Sequence, residues 1–165
     1  MRRKTAQAFG KVARLWIVVL IANVIGTAIF AWLAARTPAF TEETKTVFSQ
    51  IAAEGSTGPA LEHFVRAVFA GWLIALIVWL LPFAETSRVF VILLITWLIG
   101  VAHFAHIIAG SVTMFFQVFH DGASLGALFS GFWLPTLLGN IVGGVTLVAA
   151  VNHAQVVAGD SGTHA

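Results

Sequence analysis

Four long apolar blocks divide this chain, with its polar residues clustered between and outside them. The blocks cover residues 15–35, 64–83, 89–117 and 128–151. A helix needs about 20 apolar residues to cross the roughly 30 Å hydrocarbon core of a bilayer, so each block is long enough to span it. The pattern predicts an all-α integral membrane domain over residues 15–151 with about four spans. It also predicts an outer loop over residues 36–63.

The third block is unusual because it is too long for one span and carries histidines. Val89–His120 runs for 32 residues without a Lys, Arg, Asp or Glu. As one straight helix it would be roughly 48 Å long, which exceeds one crossing and is too short for two. We therefore predict that this span is interrupted near His106–Ser111. Broken helices at membrane depth occur where they are buried in protein or line a cavity, so the block indicates a polar path through the membrane.

Composition and charge support a membrane protein with a defined orientation. The chain is 59% hydrophobic and only 10% charged, whereas soluble domains average about 25% charged residues. The net charge of +2 gives no sign of nucleic-acid binding, and the absence of cysteine excludes disulfides and zinc–thiolate sites.

Five of the nine basic residues precede the first span. The positive-inside rule then places the N-terminal stretch 1–14 in the cytoplasm, and four spans return the tail 152–165 to the same side.

The outer loop and an internal repeat add detail to this topology. Val47, Phe48 and Ile51 have helical spacing and suggest a short amphipathic helix, although a plain connector fits equally well.

Residues 15–26 align without gaps on residues 132–143, with Trp, Asn and Gly coinciding at a spacing of 117. Because these two spans should cross in opposite directions, the similarity indicates an inverted repeat of the kind found in transporters, with chance similarity as the alternative. The second and third spans have no counterparts in this chain, so their partners would lie upstream of Met1.

Two histidines are the strongest candidates for chemistry. A desolvated His106 should be neutral while the site is empty, whereas a nearby anion favours the protonated ring. His106 could therefore admit a small anion, share its proton and release a neutral acid; the alternative is a neutral ring bonded to a helix carbonyl. His103 lies one turn earlier and could be a second relay group, a haem ligand or a packed side chain.

The remaining candidates are small or neutral polar residues. Gly110, Ser111 and Thr113 follow the predicted break and could line a path for a weakly bound anion, or could simply allow close helix packing. Asn23 and Asn140 each lie in a span beside small residues. An intramembrane Asn needs hydrogen-bond partners, and we favour a role in tying a broken helix to its neighbour over a role in lining the pore.

Three stretches give the chain its resemblance to a known family. The sequence Phe104-Ala-His106-Ile-Ile-Ala-Gly-Ser resembles the interrupted fifth helix of the formate/nitrite transporter family. Residues 134–144 resemble its sixth helix and residues 22–26 its third, as in a divergent bacterial inner-membrane branch. The resemblance implies a six-helix inverted-repeat protomer with two interrupted helices, assembled as a homopentamer with one substrate path per subunit. It also implies that this chain lacks the first two helices.

The resemblance assigns roles to individual residues and reveals departures. His106 takes the place of the central histidine, Phe104 belongs to the same path motif, and Ile99 falls near the cytoplasmic constriction. The family's Glu before the histidine is Ala105 here, and its Asn after the histidine is Gly110. A lysine that the family often carries has no clear counterpart, so the identity of the anion stays open.

The sequence therefore predicts a channel or transporter for small monovalent anions such as formate or nitrite, with His106 providing proton linkage. It predicts no enzyme activity, no cofactor and no metal, and it places the protein in the bacterial inner membrane. One alternative is a four-helix membrane haem protein with two histidine ligands. Another is a non-transporting scaffold subunit or fragment.

Overall fold

The computed structural model describes the backbone of residues 2–162 and the side chains of residues 9–155, and this part of the chain contains helices and no strands. Seven α-helices follow one another in this range: α1 Arg2–Arg36, α2 Glu42–Ser56, α3 Ala60–Leu80, α4 Arg88–Val101, α5 Ile107–Phe116, α6 Leu125–Leu128 and α7 Leu134–Gly162. A 3₁₀ turn, Glu85–Ser87, precedes α4. Two π-helical turns, Gln117–Asp121 and Phe129–Trp133, extend α5 and join α6 to α7.

Three helical stretches are long and apolar enough to cross a membrane, namely Phe9–Arg36, Ala60–Leu80 and Leu125–Gln155. The predicted all-helical membrane class is therefore confirmed. The predicted third span consists of two short helices, α4 with 14 residues and α5 with 10, so a count of four spans stays a prediction. Helix α1 already begins within the predicted cytoplasmic stretch 1–14. The predicted tail 152–165 is helical as far as Gly162, and its last three residues lie outside the described range.

The break in the third block lies earlier than predicted. We expected it near His106–Ser111, whereas the irregular residues are 102–106 and α5 already begins at Ile107. Gly110 and Ser111, which fall at the end of the predicted interruption, both lie inside a regular helix. A glycine and a serine are tolerated there because their neighbours pack against them, as described below.

The outer loop contains the amphipathic helix α2, which packs on the end of α5. Its first turn is capped by Thr41, whose hydroxyl accepts a hydrogen bond from the Thr44 amide at 3.3 Å. The Lys45 ammonium donates to the Glu42 carboxylate at 2.9 Å, and this hydrogen bond, with the charge of Lys45, lowers the pKa of Glu42. On the inner face, the Gln117 side-chain amide donates to the Ala52 carbonyl at 2.9 Å.

Helices α3 and α7 touch backbone to backbone along a glycine seam, which we define as Gly71, Gly139 and Gly143. A Cβ atom at Gly139 would overlap the Phe64 carbonyl oxygen, and one at Gly143 would overlap the Val68 carbonyl oxygen. A Cβ atom at Gly71 would lie 2.5 Å from the Asn140 carbonyl oxygen. Gly139 meets Phe64 and Gly143 meets Val68, so residue numbers increase in the same direction along both helices. Helices α3 and α7 are therefore parallel.

Helix α1 packs mainly on α5 and is otherwise open. Near its end Ala31, Ala34 and Ala35 are buried against Phe116. Nearer its middle, Val24 packs against the cluster that contains Ile107 and Met114. Most of its large apolar side chains are exposed, for example Trp16 at 52% and Ile25 at 54%. In a membrane this surface faces lipid or other helices.

Candidate functional site

The first half of the broken helix ends in a Schellman motif. Beyond Val101, the His103 amide donates to the Gly100 carbonyl at 3.1 Å, and the Phe104 amide donates to the Ile99 carbonyl at 3.0 Å. Phe104 also packs against the apolar cluster that contains Ile99, which supplies the hydrophobic contact usual for this motif. The chain therefore leaves the helix in a defined turn at this point.

His103 occupies the left-handed position of this turn, where glycine is the favoured residue. Its φ angle is +52°, a conformation that costs an L-residue about 1–2 kcal/mol. The side chain is exposed and forms no hydrogen bond to another described residue. A strained residue beside an intramembrane break is the kind of feature that accumulates at functional sites.

We expect His103→Gly to raise the free energy of unfolding by about 1 kcal/mol, because glycine adopts this φ without strain. Unfolding in detergent micelles, followed by circular dichroism, measures the change. The control is Ala102→Gly, since Ala102 has a φ of −80° and gains nothing from glycine. A loss of stability in His103→Gly would contradict the interpretation and would show that the imidazole makes a stabilising contact.

Asn140 holds the two ends of the break together from a distant helix. Its side-chain nitrogen donates to the Ala105 carbonyl at 2.9 Å, and its side-chain oxygen accepts from the Ile107 amide at 2.8 Å. The same nitrogen donates to the Ala67 carbonyl of α3 at 2.8 Å. One amide therefore caps the start of α5 and fixes the break against α3.

His106 lies between these two clamped peptide groups, directly before α5. Its backbone is extended, with φ −112° and ψ 127°, and its side chain is half-buried and makes no capping bond. No hydrogen bond joins the imidazole to any residue in the described part of the chain. The amides of Ile108 and Ala109, in the first turn of α5, likewise have no acceptor among the described residues. The break thus presents an unpaired imidazole beside free N–H groups at the positive end of a helix.

The other predicted path residues are distributed around this point. Ile99 is buried in the cluster between α3 and α4. Phe104 packs against this cluster, and its ring also stacks on Phe69 at 5.4 Å.

Thr113 is half-buried, and its hydroxyl donates to the Gly110 carbonyl at 3.0 Å. Ser111 is fully buried; its hydroxyl donates to the Ile107 carbonyl at 2.7 Å and accepts from the Trp133 indole at 2.8 Å. In this fold the Ser111 hydroxyl is occupied by protein partners.

The sequence interpretation missed the role of the π-helical turn Phe129–Trp133. The Phe132 ring fills the space next to Gly110, where an added Cβ atom would come within 2.6 Å of it. Phe132 also contacts His63, whose ring meets it edge-on with centroids 5.1 Å apart. His63 is 1% exposed and both its ring nitrogens lack a partner within the described residues. Only the pairing of α3 with α7 brings these residues together, so no local sequence signal could have identified them.

Asn23 does not join this site. Its side-chain nitrogen donates to the Val19 carbonyl of its own helix at 2.8 Å, and the side chain is exposed. It lines a shallow groove of about 350 Å³ between α1 and α5, which is separate from His106. Two further cavities, of about 520 and 110 Å³, also lie between these helices and do not include His106.

The positions of His63 and His153 do not suit the two axial ligands of one haem. Two axial ligands must face each other at one depth, whereas His63 begins α3 and His153 lies near the end of α7, which is parallel to α3. From the seam at Gly139, His153 is 14 residues further along, about 21 Å at 1.5 Å per residue. Among residues 9–155, no group of three or more His, Cys, Asp or Glu is placed to hold a metal ion.

Comparison with known proteins identifies related sequences. The sequence model described as "Formate/nitrite transporter" matches residues 1–154. The chain is 40% identical over 156 residues to "Inner membrane protein YfdC" of Escherichia coli (strain K12), covering 94% of this chain and 50% of that protein. It is 28% identical over 141 residues to "Formate-nitrite transporter 3" of Toxoplasma gondii, covering 82% of this chain and 28% of that protein. The chain therefore spans half or less of the length of these relatives. No solved structure matches it.

Proposed function

Since this chain belongs to the formate/nitrite transporter family, we propose that it forms the His106 side of a transmembrane path for small monovalent anions. The family consists of transporters, in agreement with the prediction that the protein is not an enzyme. The observation that carries the proposal is the clamped break, which holds an unpaired imidazole beside free amides at the start of α5. Half-helix N-termini at mid-membrane are a recurrent way to bind anionic substrates.

The mechanism that we propose uses the imidazole as an anion-dependent proton donor. Free amides and the dipole of α5 attract the anion into a site of low polarity. The anion favours protonation of His106, and a proton passed to the anion yields a neutral acid that crosses the apolar constriction more easily. The candidate constriction is the cluster around Ile99 and Phe104, below the break. Gly110 and Thr113 would contribute a neutral wall.

The described residues leave one side of His106 open, since its side chain is only half-buried. We therefore propose that the complete path needs further helices, either from a longer protein or from another subunit. By resemblance to the family, we also propose a homopentamer in a bacterial inner membrane with both termini cytoplasmic. A non-transporting scaffold subunit remains the second candidate, favoured by this same open side.

We expect His106→Ala to reduce proton-linked anion flux roughly 10- to 100-fold, since a charge-assisted hydrogen bond contributes about 1.5–3 kcal/mol. The measurement is stopped-flow flux of formate, nitrite and lactate into proteoliposomes at two pH values, with this chain reconstituted together with the half of the E. coli inner membrane protein that it does not match. The matched control is His120→Ala, which removes a histidine that is hydrogen-bonded to Asp121 at 2.8 Å on the outer side.

The outcomes separate the two candidate functions. Flux that needs His106 and rises with proton availability supports the proposed path. Equal, pH-dependent flux in the wild type and in His106→Ala contradicts the role of His106. The absence of any flux from this wild-type assembly contradicts the proposed path and supports the scaffold subunit.

A further inference from the structure

Two buried polar side chains where α3 meets α7 have no role in the transport mechanism described above. Among the side chains of residues 9–155, the buried nitrogen and oxygen atoms without a hydrogen-bond partner are both ring nitrogens of His63 and the hydroxyl of Thr136. His63 is 1% exposed and Thr136 is 0% exposed. Buried polar groups in folded proteins are almost always bonded to protein atoms or to ordered water, so these three atoms indicate an unassigned polar site.

The positions of His63 and Thr136 on their helices place them next to each other. On α7, Thr136 comes one turn after Phe132, whose ring contacts His63. It also comes one turn before Asn140, whose amide donates to the Ala67 carbonyl at 2.8 Å. On α3, His63 comes one turn before Ala67. Because residues four apart share a helix face, Thr136 lies beside His63 between these two contacts.

A glycine turn brings the outer surface close to the His63 ring. Gly58 lies between α2 and α3 with a φ of +124°, and a Cβ atom built there would lie 3.0 Å from Glu62 Oε2 and 3.9 Å from His63 Nε2. Since glycine has no Cβ, this point is free for a small molecule that reaches both groups. The Glu62 side chain is 41% exposed, and its other oxygen is bonded to Arg66 at 2.6 Å. Outer solvent therefore comes within about one water molecule of the buried imidazole.

Few charges surround His63 within the described part of the chain. The Glu62–Arg66 ion pair on its own helix carries no net charge. The stretches of α5, α7 and the intervening π-helical turn that pack near this seam contain no Lys, Arg, Asp, Glu or further His, over residues 107–116 and 129–151. The remaining titratable group nearby is His106, whose flanking peptide groups are bonded to Asn140.

We propose that His63 and Thr136 hold water and form a proton entry from the outer surface to His106, separate from the opening that admits the anion. The inference rests on the proposed function, since it supplies the protons that His106 passes on. His63 takes a proton at Nε2 from the water beside Gly58 and releases one from its other nitrogen to a water on Thr136, so the ring is neutral before and after each transfer. Thr136 is one turn from Asn140, about 6 Å from the level of the break at 1.5 Å per residue. One or two waters bridge that gap.

Hydrogen–deuterium exchange at the histidine Cε1 position, followed by mass spectrometry of the reconstituted assembly, measures water access to His63. We expect His63 to exchange within about tenfold of the rate of His120 on the outer surface, although its ring is buried. Thr136→Val and Glu62→Gln should each slow this exchange roughly fivefold or more, because each removes a group that holds water.

Two matched controls test whether these effects are local. Thr27→Val removes a buried hydroxyl that is bonded to its own helix, and Glu54→Gln neutralises an exposed carboxylate on α2. Both should leave the exchange rate of His63 unchanged within about twofold, since neither side chain lies at the seam between α3 and α7.

The flux assay tests whether this water carries protons to His106. His63→Phe keeps a ring against Phe132 and removes both nitrogens, while Thr136→Val keeps the side-chain shape and removes the hydroxyl. We expect each to lower proton-linked flux roughly tenfold at high outer pH, where protons are scarce. At low outer pH the loss should be less than about threefold, because the anion then arrives with its own proton. A purely structural role would lower flux by the same factor at both pH values.

Three results would overturn the proposal: no exchange at His63 in the wild type, exchange that Thr136→Val leaves unchanged, or flux losses that are equal at both pH values. The proposed function fails in a different way, through the absence of flux in the wild-type assembly. That result would remove the destination of the protons, whereas exchange at His63 would still decide whether water reaches the buried ring.

Discussion

Asn140→Leu is expected to destabilise this protein more than any other single change that preserves side-chain volume. The substitution leaves the Ile107 amide and the Ala105 carbonyl without their partner, although leucine fills nearly the same space. The Ala67 carbonyl loses a second donor and keeps its bond within α3. Each buried polar group that loses its partner costs roughly 1–3 kcal/mol. Because two of these groups flank the break, we also expect the 102–106 segment to lose its fixed geometry. Proton-linked flux should then fall at least as far as in His106→Ala.

Unfolding in detergent and hydrogen exchange at the Ile107 amide measure the two effects. We expect a lower unfolding midpoint and an amide that exchanges at least tenfold faster, since its acceptor is gone. The matched control is Asn23→Leu in the isolated chain, where the amide has only its own helix as partner. That variant should be neutral or slightly stabilising. Equal losses of stability in Asn140→Leu and Asn23→Leu would show that the hydrogen bonds of Asn140 contribute nothing beyond helix propensity.

Gly143→Ala and Gly144→Ala should change stability in opposite directions, although the two glycines are adjacent. A methyl group at Gly143 would overlap the carbonyl oxygen of Val68, so α3 and α7 must separate and lose packing along the seam. Overpacking of this kind costs about 1–3 kcal/mol. At Gly144 the nearest atom is 4.0 Å away, and replacing a helical glycine by alanine gains about 0.5–1 kcal/mol.

The pair is best compared by unfolding in one detergent, with each variant measured against the wild type. We expect the free energies of unfolding of Gly143→Ala and Gly144→Ala to differ by roughly 2–4 kcal/mol, which combines the overpacking cost at 143 with the helix-propensity gain at 144. Gly26→Ala serves as a second reference, because it lies on the open face of α1 and has no atom within 4 Å. If Gly143→Ala were as stable as Gly144→Ala, the two helices would not be in backbone contact.

The membrane class and the interruption could be predicted because each depends on patterns along the chain. Apolar block length indicated helices that can cross a bilayer, and an overlong block with a histidine indicated a break. The break was predicted near His106–Ser111, about one turn late, because block length indicates that an interruption exists without fixing the residue at which the first half-helix ends. In the structure the turn places His103, not a glycine, in the left-handed position, and the clamp comes from Asn140, 34 residues after His106.

The contacts around the candidate site could not be predicted because they depend on how two helices align. The sequence shows that Gly139 and Gly143 permit close approach, but it does not show which residues of α3 they meet. That alignment decides that Phe132 lies between His63 and Gly110, and that the Asn140 amide reaches Ala67. A one-residue shift of α7 along α3 would replace all of these contacts together.

The clamp at the break recognises main-chain atoms only, and this has an evolutionary consequence. Asn140 contacts the carbonyl of Ala105 and the amide of Ile107, so neither side chain takes part in holding the break. Selection can therefore exchange the half-buried Ala105 without dismantling the turn that displays the histidine, whereas the Ile107 side chain is also held in a buried apolar cluster. Position 105, an alanine here, is free to diverge between lineages, whereas position 140 is expected to tolerate almost no replacement.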